Sequence, residues 1–268
     1  MAAGTLYVLA TPIGNLGDMT FRAVEVLKSV DCVAAEDTRH TLKLLNHFGI
    51  RKPLVSYHSH NLEESGALIA AKLEGGEDIA LVTDAGTPGV SDPGARLIQQ
   101  AVERRLPVSV VPGPTASVAA LIVSGLPTQP FAFLGFPPPR GTSRRRFFAS
   151  AADLPMTLIL YESARRLHRT LSDLEAHWGN RRIAVARELT KVHEEVFRGT
   201  VSEARCHFGE AARGEVTLVV EGAEARTSVP APGVETWREE LKLLLKQGST
   251  TTRAVSYTHL TLPTIYSV

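Results

Sequence analysis

In the first half of the chain, short apolar runs rich in β-branched residues alternate with amphipathic stretches. Leu6–Ala10, Cys32–Ala35, Leu54–Ser56, Asp78–Thr83 and Val108–Val111 predict strands. Phe21–Val30, Thr38–Phe48, Leu62–Leu73, Gly94–Arg104 and Ala116–Ser124 predict the helices between them. Alternation of this kind points to parallel βαβ units. The strand-like runs are apolar at consecutive positions rather than at every second one. Strands covered by helices on both sheet faces have that pattern.

A second rhythm begins near Pro127. Phe131–Phe136 and Thr157–Tyr161 predict strands on either side of a basic helix around Arg144–Ser150. Ala164–His177 and Ser202–Phe208 predict helices; Arg182–Arg187, Glu194–Arg198 and Glu215–Val220 predict strands. The expected fold is α/β with two domains, residues 1–122 carrying a mostly parallel sheet and residues 123–222 a mixed one. A ligand cleft is expected between them, because ligands favour domain interfaces and the carboxyl ends of parallel strands. Residues 223–234 are rich in Pro, Gly, Ala and Ser and predict a linker; Trp237–Lys246, within residues 235–254, starts a helical module that is cut short. The final segment 255–268, VSYTHLTLPTIYSV, continues no pattern. It looks like the read-through translation of a sequencing-library adaptor and is set aside as a non-native tail.

Composition narrows the class. The chain has 268 residues, 44% hydrophobic and 21% charged, enough for a sizeable core. A net charge of +1 gives no global field toward nucleic acid, so any RNA contact requires a local basic patch. Cys32 and Cys206 lack metal-ligand spacing. A disulfide framework and a zinc site are not expected, and a reducing cytosol fits. No stretch approaches the roughly 18 apolar residues of a membrane span, so a cytoplasmic protein is expected.

Three Gly/Pro-rich loops follow predicted strands: Thr11–Asp18 (TPIGNLGD), Asp84–Gly94 (DAGTPGVSDPG) and Pro112–Thr115 (PGPT). Glycine permits positive φ and close backbone approach, and proline stiffens a loop. Such loops at one end of a parallel sheet present fixed backbone donors and acceptors, suited to adenine, ribose hydroxyls and an amino-acid moiety. No GxGxxG opens a helix and no GxxxxGK[ST] occurs, which argues against dinucleotide-binding and P-loop readings.

The strings LYVLATPIGNLGDMTFRAVEVLKSVD, AAEDTRHTLKLLNHFGI, LVTDAGTPGVSDPGARLI and VVPGPTASVAAL resemble successive blocks of the bacterial 16S ribosomal RNA (cytidine-2′-O)-methyltransferases. FLGFPPPRG, LILYES, ARELTKVHEEVFRGT and GEVTLVVEGA are similar to that family's later blocks. These enzymes have the tetrapyrrole-methylase fold. The resemblance implies S-adenosylmethionine held between two α/β domains, a cytidine of the decoding region in small-subunit ribosomal RNA as target, the 30S subunit as partner, and a homodimer. It places the methyl-donor site on Pro12, on Asp84, Ala85, Gly86, Thr87, Pro88, Gly89, Val90 and Ser91, on Pro112, Gly113, Pro114 and Thr115, and on Leu134, Gly135 and Phe136. One departure is YESARR where YESPHR is expected: Ala164 and Arg165 replace the proline and histidine, while Glu162 and Arg166 still match.

Methyl transfer to a hydroxyl needs in-line alignment and removal of a proton. Alignment alone supplies roughly 7–11 kcal/mol of the barrier, and a general base adds a factor of about 10² to 10⁴. Glu36, Asp37 and Arg39 follow the second strand on the loop-bearing edge and are expected to face substrate. Asp37 equally suits the cap of the helix that follows it. His58 and His60 share a face of an extended segment, but no carboxylate or cysteine follows at ligand spacing, so no metal site is expected. Lys191, His193, Glu194 and Glu195 are either a cleft-lining block or a solvated charged loop; the first two are taken as RNA contacts. Arg140, Arg144, Arg145, Arg146, Arg165, Arg166 and Arg169 place seven arginines within 30 residues, a candidate phosphate-binding patch. Phe147 and Phe148 could stack on an unpaired base, though the buried side of an amphipathic helix suits them better.

Two rivals stand beside this reading. A tetrapyrrole C-methyltransferase of the same fold would typically carry a GxGxGD first loop and a GGDP second loop; TPIGNLGD and DAGTPG stand in those places. A non-catalytic RNA-binding or ribosome-assembly protein could use the same arginines, but has no need of a nucleoside-sized cleft.

Overall fold

A computed structural model describes residues 2–209 and 214–224. The predicted helix at Trp237–Lys246 and the tail at 255–268 lie outside the described residues. Residues Met1–Gly222 form one compact unit built on two five-stranded sheets.

The first sheet contains β1 (Leu6–Leu9), β2 (Cys32–Ala35), β3 (Leu54–Ser56), β4 (Ile79–Val82) and β5 (Val108–Val111), in the order β3-β2-β4-β1-β5. All its pairings are parallel. Parallel strands cannot be joined by tight hairpins, so each is followed by a returning helix. These are α1 (Phe21–Ser29), α2 (Thr38–His47), α3 (Leu62–Glu74) and α4 (Gly94–Glu103), with α5 (Ala116–Ser124) leaving the sheet after β5. The inner strands β2 and β4 are buried at every position, as their unbroken apolar runs require. The edge strands β3 and β5 are only partly covered, which leaves Val110 exposed although its sequence run looks like a core strand. Helices on both faces divide the core into two clusters, one around Leu6, Ile69, Leu73 and Ile79, the other around Leu9, Leu27, Val33 and Leu45.

The second sheet contains β6 (Phe131–Gly135), β7 (Thr157–Ser163), β8 (Arg182–Arg187), β9 (Glu195–Thr200) and β10 (Glu215–Val220), in the order β6-β7-β10-β8-β9. Only β6 and β7 pair in parallel; the other pairings are antiparallel. α6 (Gly141–Ala151), α7 (Ala164–Trp178) and α8 (Val201–Phe208) pack on one face around Phe148, Leu167, Leu171 and Trp178. α5 covers the other face, burying Ala120 and Leu121 against Ile159, Ala184 and Val219. The helix that ends the parallel half therefore forms part of the core of the mixed half. The mixed α/β architecture expected from the sequence is the one observed, and most element boundaries agree within two residues.

One hydrogen bond ties α5 to β7 at its amino end. The Thr115 hydroxyl does not cap α5, and the backbone N–H of Ser117 donates instead to the Tyr161 hydroxyl at 3.1 Å. Tyr161 also meets Phe133 and Phe136 edge-on, with ring centroids 4.7 and 5.5 Å away. Tyr161→Phe keeps the ring and removes the acceptor, so denaturant unfolding should show a loss of about 1 kcal/mol. An unchanged midpoint would mean that water satisfies the Ser117 N–H equally well.

Candidate functional site

The three loops converge because they leave the same edge of a parallel sheet, and they bond to one another. Thr11 and Gly86 exchange backbone bonds, Thr11 N–H to Gly86 O at 2.9 Å and Gly86 N–H to Thr11 O at 3.1 Å. The Thr87 hydroxyl donates to Pro114 O at 3.2 Å and lies 2.7 Å from the Thr115 hydroxyl. Within the second loop, the Asp92 carboxylate accepts from Gly89 N–H at 2.9 Å and Gly94 N–H at 2.8 Å. Gly86 has φ +86°, a left-handed conformation that lets the turn fold onto Thr11.

These turns open on a cavity of about 430 Å³ between the two sheets. The parallel half contributes Ile13, Glu36, Thr83, Asp84 and the turn Ala85–Thr87, with Val90, Ser91 and Thr115 further out. The mixed half contributes Phe136, Tyr161, Glu162, Glu188, Lys191 and Glu215, among others. Five carboxylates (Glu36, Asp84, Asp92, Glu188, Glu215) thus share one ammonium, Lys191, while the buried Glu162 carboxylate is paired with Arg166. A cavity of this charge disfavours phosphate and suits a cationic ligand.

Several of these acids are already engaged. The Thr83 hydroxyl donates to Glu36 Oε2 at 2.8 Å, and Thr11 Oγ1 donates to Thr83 O at 3.1 Å. The Asp37 N–H donates to Asp84 Oδ1 at 3.1 Å. Lys191 Nζ bridges Glu188 Oε1 at 3.0 Å and Glu215 Oε2 at 3.1 Å. Burial works against the Lys191 ammonium, but the bonds to Glu188 and Glu215 outweigh it and raise its pKa. Burial likewise works against the Glu188 carboxylate; the Glu215 N–H and Lys191 outweigh it and lower its pKa. Gly14 in the first loop lies directly against this cluster, where a β-carbon would come within 2.4 Å of Lys191 Cγ. Glu188 and Thr190 both hold left-handed φ, 52° and 66°, which turns the Leu189–Lys191 segment back toward the first loop.

Not every residue singled out from sequence lines the cavity. Pro12, Pro88, Gly89, Pro112, Gly113 and Pro114 shape the turns from behind; a β-carbon on Gly113 would sit 3.0 Å from Ala10 Cβ. Leu134 packs against the core of the mixed half, and Gly135, at φ +69°, lies beside Ser91. Glu36 alone of the Glu36–Asp37–Arg39 group lines the cavity. Asp37 caps α2, accepting from the Arg39 and His40 N–H groups at 2.8 and 3.4 Å, and its pKa is lowered chiefly by that Arg39 bond. Arg39 extends into solvent. Of the two readings of Asp37, substrate-facing or helix cap, capping is the role its carboxylate performs.

The basic patch needs one correction. Arg144 is 3% exposed and points inward: Nε donates to Asp173 at 2.6 Å, Nη1 to Pro138 O at 2.9 Å and Nη2 to Thr170 Oγ1 at 2.8 Å. It cannot reach a phosphate, because a helix surface position and a helix core position differ by a single residue step of 100° and sequence density alone does not tell them apart. Arg166 is half-buried, pairing with Glu162 and donating to Pro137 O. Arg140, Arg145, Arg146, Arg165 and Arg169 are exposed and form no ion pair among the described residues. His193 is exposed beyond Lys191. Phe148 is fully buried and Phe147 packs against the same core, as their place on an amphipathic helix suggested.

The residues that sequence reasoning passed over are Tyr161, Ser163, Glu188, Leu189, Glu215 and Thr217. The available signal was polarity at strand ends: YES closes an apolar run, and EVT opens one. Among the described residues no group of three or more His, Cys, Asp or Glu side chains could hold a metal, and no helix is long and apolar enough to cross a membrane.

The Lys191 bridge predicts a pH-dependent cost. Stability from a carboxylate with lowered pKa is present above its unfolded value and lost as pH falls through the folded one. Lys191→Met should therefore destabilise most near neutral pH, and the gap to the parent should narrow as pH falls through the lowered folded pKa of Glu188. Urea unfolding across a pH series from neutral into the acid range checks this; a gap that stays the same size throughout would refute the ion-pair account.

The chain matches the family model described as Tetrapyrrole (Corrin/Porphyrin) Methylases over residues 5–205. It is 49% identical over 253 residues to the Ribosomal RNA small subunit methyltransferase I of Synechocystis sp., covering 94% of this chain and 90% of that one. It is 51% identical over 221 residues to the protein of that name from Halalkalibacterium halodurans, covering 82% and 76%. The fold is similar to that of uroporphyrin-III-C-methyltransferase from Thermus thermophilus, with TM-score 0.57 and 23% identity over 81% of this chain and 94% of that one. It is also similar to the methyltransferase CobJ, with TM-score 0.62 and 17% identity over 82% and 95%. At such identities these two structures speak for the fold alone. Sequence match, fold and the converging turns agree, and the chain belongs to the tetrapyrrole (corrin/porphyrin) methylase family as a methyltransferase of the ribosomal RNA small subunit methyltransferase I group.

Proposed function

We propose that this chain transfers a methyl group from S-adenosylmethionine to the ribose 2′-hydroxyl of a cytidine in the decoding region of small-subunit ribosomal RNA. The observation that carries the reading is the single cavity on which the three mutually bonded turns converge. Its 430 Å³ falls in the range of about 300–1,000 Å³ typical of nucleoside-sized ligand sites. Its remaining carboxylates, Glu36, Asp84 and Asp92, match a sulfonium cation, and its turn Ala85–Thr87 and Thr115 offer backbone and hydroxyl partners to an adenosine. When bound, the donor supplies an activated methyl group, so no metal is required.

The chain's own residues do the rest. Glu36 holds the Thr83 hydroxyl with Oε2, which leaves its second oxygen to orient or deprotonate the substrate hydroxyl. Lys191, locked between Glu188 and Glu215, stiffens the wall opposite. RNA phosphates are excluded from the acidic cavity and lie instead on Arg140, Arg145, Arg146, Arg165 and Arg169. Affinity from that surface is electrostatic and falls with salt. The 30S subunit in the cytosol is the partner, and the working unit is a homodimer with residues 1–122 and 123–222 as its two domains.

The relatives' names favour RNA over a tetrapyrrole, and the cavity favours an enzyme over a passive RNA binder. Primer extension at low nucleotide concentration on small-subunit RNA should show a new stop at a decoding-region cytidine after treatment. Label from the donor appearing in a porphyrinogen instead, or no calorimetric binding of S-adenosylhomocysteine, would reject the assignment. Gly86→Ala places a side chain at left-handed φ, costing about 1–2 kcal/mol. If that strain moves the turn, S-adenosylhomocysteine should bind at least about ten-fold more weakly; unchanged affinity would remove the Thr11–Gly86 turn from the donor site.

A further inference from the structure

A strap without donors leads from the cavity wall at Phe136 into α6. Pro137, Pro138 and Pro139 follow Phe136 and have no backbone N–H, so this stretch can join no sheet ladder and can be held only by its carbonyls. Two arginines hold them. Arg144 donates to Pro138 O at 2.9 Å, and Arg166 donates to Pro137 O. Both arginines are fixed from behind by one buried network. Arg166 Nε pairs with Glu162 Oε1 at 3.1 Å, and Thr170 Oγ1 donates to Glu162 Oε2 at 2.6 Å. Arg144 reaches the same Thr170 oxygen at 2.8 Å and pairs with Asp173 at 2.6 Å. Glu162 is 2% exposed, and all its described bonds are to this network and to the Ser163 N–H.

The residue this arrangement displays is Phe136. Its ring lines the cavity, leans edge-on against Tyr161 at 5.5 Å, and is still 52% exposed. An exposed aromatic ring in a cavity wall offers a stacking platform to a planar group such as a base. Arg140, the first exposed arginine of the basic surface, lies four residues further along the same strap. A flexible Phe136 would lose the entropy of being ordered each time a base arrived; a clamped one would not.

We infer that Phe136 is the seat for an unstacked nucleobase of the RNA substrate, and that Arg166, with Arg144, Glu162 and Thr170, is a positioning group that holds this seat through the Pro137 and Pro138 carbonyls. The inference rests on the RNA-methylating function proposed above. It assigns to Arg166 an action through Phe136 rather than contact with phosphate.

The test is a double-mutant cycle of Phe136→Ala and Arg166→Ala, read as kcat and KM for small-subunit RNA, with S-adenosylhomocysteine affinity and melting temperature measured alongside. Base–aromatic stacking is worth about 1–3 kcal/mol, so Phe136→Ala should raise KM for RNA by about ten-fold or more. Phe136 also lines the cavity assigned to the donor, so the rise in KM for RNA should clearly exceed any fall in S-adenosylhomocysteine affinity. Arg166→Ala should raise the same KM, and adding it to Phe136→Ala should cause no further rise, because the two act in series. Arg166→Lys should recover part of the loss, since a lysine can reach Glu162 or the carbonyl but lacks the fork to hold both. Multiplying effects in the double variant, an unchanged KM in either single variant, or a fall in S-adenosylhomocysteine affinity matching the KM change would overturn the inference. Phe136→Ala alters an exposed side chain, so its result stands even if Arg166→Ala folds poorly. A parent chain that binds S-adenosylhomocysteine yet never labels the RNA would overturn the proposed function, and this inference with it.

Discussion

Parallel strand pairing is the constraint from which the site follows. When β1, β2, β4 and β5 run in one direction, every strand must end at the same edge of the sheet, and each chain segment must return through a helix before the next begins. The residues after each strand are therefore neighbours in space although they are far apart in sequence. Thr11, Thr83–Thr87 and Pro114–Thr115 meet for this reason alone. Their mutual bonds, Thr11 to Gly86 and Thr87 to Pro114, then convert a shared edge into one rigid rim.

The mixed sheet closes what the parallel sheet leaves open. α5 is held on it by apolar packing, and Tyr161 replaces the missing cap at that helix's amino end. Across the opening, Gly14 approaches Lys191 so closely that no side chain fits between them. The lysine in turn neutralises two of the acids that the closure brings together. Removing one partner from a buried pair such as Arg144–Asp173 costs about 3–5 kcal/mol, because the charge left behind is desolvated. That asymmetry explains how ionic groups can order the cavity wall without adding much net stability.

A division of charge results. Carboxylates are gathered inside, where they suit a cation and exclude phosphate, while arginines with no ion pair among the described residues remain on the outer faces of α6 and α7. With a net charge of +1, the chain achieves this by distribution and not by excess. The Pro137–Pro139 strap joins Phe136, in the cavity wall, to α6, which carries Arg145 and Arg146.

Periodicity and punctuation in the sequence determined the strands, the helices and their alternation, because burial on both faces demands continuous apolar runs and turns demand glycine and proline. They also determined that the three loops share an edge, since that follows from parallel connectivity. Side-chain direction was a tertiary matter. Arg144 and Arg145 are adjacent and chemically identical, yet one is sealed against Asp173 and Thr170 and the other faces solvent, because α6 packs on α7 with only one of its faces. Glu188 and Lys191 lie three residues apart, but Glu215 joins them in an ion cluster only when β8 and β10 pair. Local pattern records which face of an element is apolar; which polar groups meet across the gap between elements is set by packing, and no short stretch of sequence contains that distance.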